Sequence, residues 1–132
     1  MARWLPVNVL LDTCALLALA RGELPRRASR ALQAAPEACV SVVSAWEVAL
    51  KTARGKLRLK EPAVQWFLGL VERYELRELP LDARTACAAA ALPMVHRDPF
   101  DRVLVALAIA DSLTVLTCDE HIPKYEGVRT LW

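Results

Sequence analysis

Acidic residues stand at four places where this chain changes character. Asp12 directly follows the apolar run Val7-Asn8-Val9-Leu10-Leu11, and Glu47 lies a few residues beyond Cys39-Val40-Ser41-Val42-Val43. Asp98 and Asp101 flank Pro99-Phe100, and Asp119 follows the stretch from Leu113 to Thr117. Carboxylates brought together repel one another and lose hydration when buried. A divalent cation offsets both costs, and an all-oxygen donor set favours Mg²⁺ or Mn²⁺ over zinc. One such ion, or two about 3.5–4 Å apart, can activate a water and stabilise the leaving oxygen in phosphodiester hydrolysis. Each acid also has a structural use. Asp12, Asp98 and Asp119 can cap helices or turns. Glu47 completes a Ser44-x-x-Glu47 capping box, and Asp101 at the third helical position suits the helix dipole. Caps account for each acid singly, and less well for four segments that deliver acids to one edge.

Other chemistries have less support. His96 and His121 share no metal-ligand spacing with another His or Cys; His96, beside Arg97 and Asp98, is expected to make a structural hydrogen bond, and His121 to be exposed. No nucleophile elbow, P-loop or G-x-G-x-x-G occurs. The four cysteines, Cys14, Cys39, Cys87 and Cys118, form no CxxC pair and sit among apolar or small residues, which reads as buried free thiols. Net charge is only +2, but Lys51, Arg54, Lys56, Arg58 and Lys60 fall together without an acid, and Arg21, Arg26, Arg27 and Arg30 form a second cluster diluted by Glu23. Such stretches either lie against phosphates or form a solvated helix face.

The elements that must position these groups alternate. Residues 7–11 read as a strand buried on both faces. Asp12 or Thr13 caps a helix over 15–20, and Gly22 and Pro25 separate it from a short helix over 26–34. A strand over 39–43 leads into a helix capped by Ser44 and ended by Gly55. Pro62 opens a helix in which Val64, Phe67, Leu68 and Val71 recur at helical spacing. A strand over 76–79 precedes an Ala-rich helix capped by Asp82 and closed at Pro93. Asp98 as N-cap, Pro99 at the first helical position and Asp101 at the third open a helix running to about residue 111. Strands over 113–117 and 128–131 complete the chain. This order predicts an α/β three-layer sandwich with a central, mostly parallel sheet. Ligands in such sheets sit beyond the carboxyl ends of strands, near a switch in strand order.

With 132 residues, 55% of them hydrophobic, the chain is expected to form a single domain, 1–132, with a real core. No apolar stretch approaches the roughly 20 residues of a membrane helix, and the opening residues lack the apolar region of a signal peptide, so a cytoplasmic location is expected.

Leu10-Leu11-Asp12-Thr13, Ser44-Ala45-Trp46-Glu47-Val48-Ala49-Leu50-Lys51, His96-Arg97-Asp98-Pro99-Phe100-Asp101-Arg102 and Thr117-Cys118-Asp119-Glu120 together resemble a PIN domain. More narrowly they resemble the VapC-type toxins of toxin–antitoxin pairs. The match in order and spacing runs over essentially the whole chain, down to Gly55-Lys56-Leu57 and the closing Leu131-Trp132. The resemblance implies a PIN-like sheet and a Mg²⁺- or Mn²⁺-dependent endoribonuclease that cleaves RNA with a metal-activated water. It implies Asp12, Glu47, Asp101 and Asp119 as catalytic and metal-binding residues, Asp98 as an auxiliary acid or a cap, and Thr13 and Thr117 as supporting hydroxyls. Lys51, Arg54, Lys56 and Arg102 become candidates to hold flanking phosphates. A cognate antitoxin and a homodimer are the partners it implies. The alternative is an RNA- or protein-binding module of the same fold that does not cut. A signalling receiver would want paired acids after its first strand, where Asp12 stands alone.

Overall fold

The computed structural model describes residues 6–132; the opening residues, read above as lacking a leader, and the first five positions of the expected domain lie outside the described part. Five short strands form one sheet: β1 (Val9–Leu11), β2 (Ala38–Ser41), β3 (Arg77–Leu79), β4 (Thr114–Leu116) and β5 (Arg129–Leu131). Their order is β3-β2-β1-β4-β5, and every pairing is parallel, where a mostly parallel sheet was expected. The chain builds outward from β1 through β2 and β3, then returns to the other side of β1 for β4 and β5. The switch in strand order therefore falls between β1 and β4, where the loops diverge and leave a crevice.

Six helices among the described residues cover both faces: α1 (Thr13–Arg21), α2 (Arg26–Ala34), α3 (Val42–Ala53), α4 (Ala63–Arg73), α5 (Ala83–Ala91) and α6 (Pro99–Asp111). Strand alternation divides the core in two. Leu10, Cys39 and Val115 pack with Ala89, Val103, Leu104 and Leu107 on the α5–α6 side. Val9, Leu11, Val40 and Leu116 pack with Leu16, Ala28, Phe67 and Leu70 on the side of α1, α2 and α4. The result is the three-layer sandwich expected. No helix among the described residues is long and apolar enough to cross a membrane.

Local chemistry sets most boundaries. Asp12 accepts from the Ala15 N–H at 2.7 Å and caps α1, which Gly22 closes in the left-handed conformation (φ 71°). Asp82 caps α5, and Asp98 caps α6 through Phe100 N–H (2.9 Å) with Pro99 at the first turn. One cap differs from expectation. Ser41, not Ser44, opens α3, accepting from Val43 N–H at 3.1 Å, so β2 ends two residues earlier than read and the helix starts earlier. Ser44 and Glu47 consequently form no capping box. Val42 and Val43, β-branched and apolar, look like strand, but on α3 they supply its core contact to the α5–α6 side.

Candidate metal centre

Asp12 leaves β1 at its carboxyl end, and Asp119 lies three residues past β4, so the two acids bracket the switch point. Glu47 sits in the second turn of α3, one element beyond β2, and Asp101 in the first turn of α6. These four side chains, with Asp98, line one cavity of about 320 Å³ together with Thr13, Cys14, Leu17, Arg21, Lys51 and Cys118. Asp12, Glu47 and Asp101 are buried, and Asp119 is half-buried.

Hydroxyl groups hold the acids in place. Thr117 donates to the Asp12 carboxylate, and its Oγ1 accepts from Asp119 N–H at 2.9 Å. One side chain thus couples the loops after β1 and β4. Thr13 donates to Ser44 Oγ at 3.0 Å in a buried contact that joins α1 to α3, the helix carrying Glu47. Asp119 Oδ1 accepts from the backbone N–H groups of His121 and Ile122, where the chain enters the 3₁₀ turn over Ile122–Lys124. Asp12 and Asp98 cap their helices and Asp119 binds its own turn while all three residues line the cavity.

The electrostatics are those of crowded anions. Burial pushes the Asp12 carboxyl up to about 6, against the Thr117 and Ala15 hydrogen bonds that lower it. Burial first, then the charges of Asp98, Asp119, Glu47 and Asp12, push Asp101 up to about 8. Lys51 pairs with Glu47 at 3.0 Å, one turn along α3, and Arg21 lines the cavity rim. The donor set is oxygen-rich, and burial, reinforced by the neighbouring carboxylate charges, opposes ionisation of Asp12 and Asp101. A hard divalent cation would relieve this, so the residues fit one.

Several expected roles change in the structure. Arg102 is buried, and its guanidinium donates to the carbonyls of Ala90 (3.2 Å), Leu92 (2.7 Å), Pro93 (3.1 Å) and His96 (3.4 Å). It closes the end of α5 and the loop beyond, so it has no free donor face for a phosphate. Lys51, Arg54 and Lys56 fare differently. They line a groove of about 460 Å³ with Leu50, Arg97 and Phe100 that shares Glu47, Lys51 and Asp98 with the acidic cavity. Arg58 and Lys60 flank another hollow, beside Trp66 and Arg73. Of the second basic cluster, Arg21 lines the acidic cavity, while Arg27 and Arg30 lie on α2 beside Leu131.

The cysteines are also corrected. Cys14 and Cys118 form a disulfide, Cys87 is exposed, and only Cys39 is a buried free thiol as expected, its acidity lowered mainly by burial (about 11). The pairing brings together residues 104 apart in sequence, which composition around each cysteine could not show. A signal existed in position: one cysteine is two residues after Asp12, the other immediately before Asp119.

The histidines were undervalued. His121 is half-buried, not exposed, and its ring stacks on that of His96 with centroids 4.3 Å apart. His96 makes backbone hydrogen bonds to Tyr125 Oη in both directions at 3.2 Å, the structural role expected, yet its Nε2 also lies 3.6 Å from Asp101 Oδ2. Ligand atoms of His96, Asp98 and Asp101 all fall within 4.8 Å of one another.

Comparison with known proteins agrees with this arrangement. The PIN domain family matches residues 9–128. The chain is 30% identical over 112 residues to ribonuclease VapC22 of Mycobacterium tuberculosis, spanning 83% of this chain and 85% of that one. Among solved structures, VapBC2 from Rickettsia felis bound to a promoter DNA fragment superposes with a TM-score of 0.70 at 14% identity, covering 95% of this chain and 98% of the other. A toxin–antitoxin complex from Klebsiella pneumoniae gives 0.64 at 21% identity, covering 91% and 94%. At those identities the structural likeness is one of fold. With the family match over nearly the whole chain and the VapC relative beside it, the protein belongs to the PIN-domain family, in its VapC branch.

Proposed function

We propose that this protein is a Mg²⁺- or Mn²⁺-dependent endoribonuclease acting as the toxin of a toxin–antitoxin pair. The observation that carries the reading is the convergence of Asp12, Glu47, Asp101 and Asp119, from four separate segments, on one cavity at the strand-order switch. The ribonuclease name of the M. tuberculosis relative supports the same activity.

In this reading Asp12, Glu47, Asp101 and Asp119 hold the cation, and Asp98 assists from the start of α6. The bound ion supplies positive charge to the scissile phosphate and acidity to a water. The protein's own groups do the rest. Thr117 keeps the Asp12 and Asp119 loops at a set spacing, and Thr13 with Ser44 fixes α1 against α3. Lys51 offsets part of the carboxylate charge and, with Arg54 and Lys56, receives the RNA phosphates that flank the cut. Arg102 acts as a scaffold for the loop that carries His96 and Asp98.

The fold likeness to toxin–antitoxin complexes supports a protein antitoxin as partner. A homodimer and a cytoplasmic location accompany this reading. The test is direct. The purified chain should cut single-stranded RNA with Mn²⁺ or Mg²⁺ and stop in EDTA, and Asp12→Asn should lose cleavage by at least roughly a hundredfold while keeping its circular dichroism spectrum. Full activity of Asp12→Asn, free of contaminating nuclease, would falsify the assignment.

A further inference from the structure

The disulfide is placed where it bears on the acidic cavity. Cys14 lies in the first turn of α1, two residues after Asp12, and Cys118 stands between Thr117 and Asp119. Both line the cavity with the acids, and their Cα atoms are 6.8 Å apart. Beyond the bond from Thr117 N–H to the Leu131 carbonyl of β5 (3.1 Å), the segment carrying Asp119 runs to the 3₁₀ turn outside any strand. Its ties to α1 are the bridge and the Thr117 hydroxyl. The backbone bond from Asp12 N–H to the Leu116 carbonyl (3.2 Å) lies before it. Cys118 is exposed and Cys14 half-buried, so a small thiol or disulfide reaches Cys118 first. Cys39 is buried on the α5–α6 side of the sheet, and neither it nor Cys87 lines the acidic cavity.

We propose that Cys14 and Cys118 form a reversible thiol–disulfide site whose closure tightens cation binding in the acidic cavity. The inference rests on the reading that this cavity holds a divalent ion. The exchange partner is a small-molecule disulfide of the glutathione class. The Cys118 thiolate attacks it, its S–S bond breaks, a mixed disulfide forms, and one small thiol leaves. The Cys14 sulfur then attacks the Cys118 sulfur, forming the Cys14–Cys118 bond and expelling the second small thiol. The two cysteines lose two electrons, the small disulfide gains them, and the two cysteine protons end on the released thiols. Reduction by thiols reverses both steps. The closed bridge holds the Asp119 segment against α1 before the ion arrives. In the open form, ion binding must order that segment itself, and this weakens affinity by roughly tenfold, the scale of ordering one residue of backbone.

The test uses the full chain with Cys87→Ser, which removes the exposed thiol that would cross-link copies. Protein equilibrated in glutathione buffers of graded oxidation is alkylated and weighed to count closed bridges, and Mn²⁺ alone is titrated calorimetrically into the oxidised and reduced forms. The expected result is a bridge that opens and closes reversibly, with Mn²⁺ held roughly tenfold tighter when it is closed. Cys14→Ser and Cys118→Ser should both match the reduced affinity under either condition. Equal Mn²⁺ affinity in the two forms overturns the coupling and leaves the metal-centre reading standing. A glutathione adduct that persists on Cys118 while Cys14 stays alkylatable overturns the bridge as a reversible site. If neither form takes up Mn²⁺, the metal-centre reading fails and the coupling falls with it.

Discussion

Asp101 shows how one residue serves stability and function in opposite senses. Without metal, the folded chain keeps protons on Asp101 up to about pH 8 and on Asp12 up to about 6, while the unfolded chain releases them near the ordinary aspartate value of 3.8. The folded state therefore binds more protons from about pH 4 upward, and stability falls as pH rises through this window before levelling above about pH 8. Chelated protein should melt lower at about pH 8.5 than at about pH 5.5, and saturating Mn²⁺ should remove most of that difference, because the ion replaces the protons. Asp101→Asn removes a buried negative charge from among four others. It should raise the stability of the chelated protein at about pH 8.5 by roughly 1–3 kcal/mol and abolish the Mn²⁺-induced rise in melting temperature. A loss of stability in chelator would show that the carboxylate is held by partners other than the ion.

The element that frames the site on one side is the loop between α5 and α6. It has no regular structure, yet Arg102 from inside α6 donates to three of its carbonyls and to that of Ala90 in the last turn of α5, and Tyr125 pins His96 from the far side. The planar fork of a guanidinium suits several carbonyls at once, and neither lysine nor a neutral side chain replaces it. Arg102→Met should cost about 2–4 kcal/mol in urea unfolding, because buried acceptors lose their donors. Metal-free RNA affinity should stay within about twofold for whatever fraction remains folded, since the side chain faces no groove. A large selective loss of RNA affinity at unchanged stability would return Arg102 to the phosphate contacts. By contrast, Lys51 in the last turn of α3 and Arg54 at its C-cap line the groove, and Lys56 joins them just past Gly55, which adopts the left-handed conformation (φ 70°).

Across the whole molecule, charge is separated over a short distance. A buried acidic cavity opens beside a basic groove, in a chain whose net charge is only +2. Long-range attraction for RNA is therefore weak, and affinity comes from a few local contacts. If Lys51, Arg54 and Lys56 each meet a phosphate, the logarithm of affinity for single-stranded RNA, measured in chelator, should fall with the logarithm of salt at a slope of about −2. Arg54→Ala or Lys56→Ala should each make it shallower by about 0.7. The α2 arginines Arg27 and Arg30 lie away from the groove, so their replacement should leave the slope unchanged. A slope near zero in the parent would remove the groove from RNA binding.

By itself the sequence determined the layered architecture, since strand and helix periodicities are local. It also marked the four acids, because Asp12, Asp101 and Asp119 stand near the ends of elements and Glu47 within two turns of the start of α3. Even Asp98 at the start of α6 was legible, as a cap followed by proline. Tertiary structure decided the rest. Ser41 rather than Ser44 opens α3, because Val42 and Val43 gain more as one face of a helix against α5 and α6 than as an extension of a short strand. Arg102 is a scaffold because the loop it serves is brought to it only by the packing of α5 on α6. Cys14 and Cys118 meet because β1 and β4, a hundred residues apart, are neighbours in the sheet. Each of these outcomes depends on which segments become adjacent. Adjacency in a parallel sheet is set by crossover connections and burial on both faces, to which no local pattern of residues is sensitive.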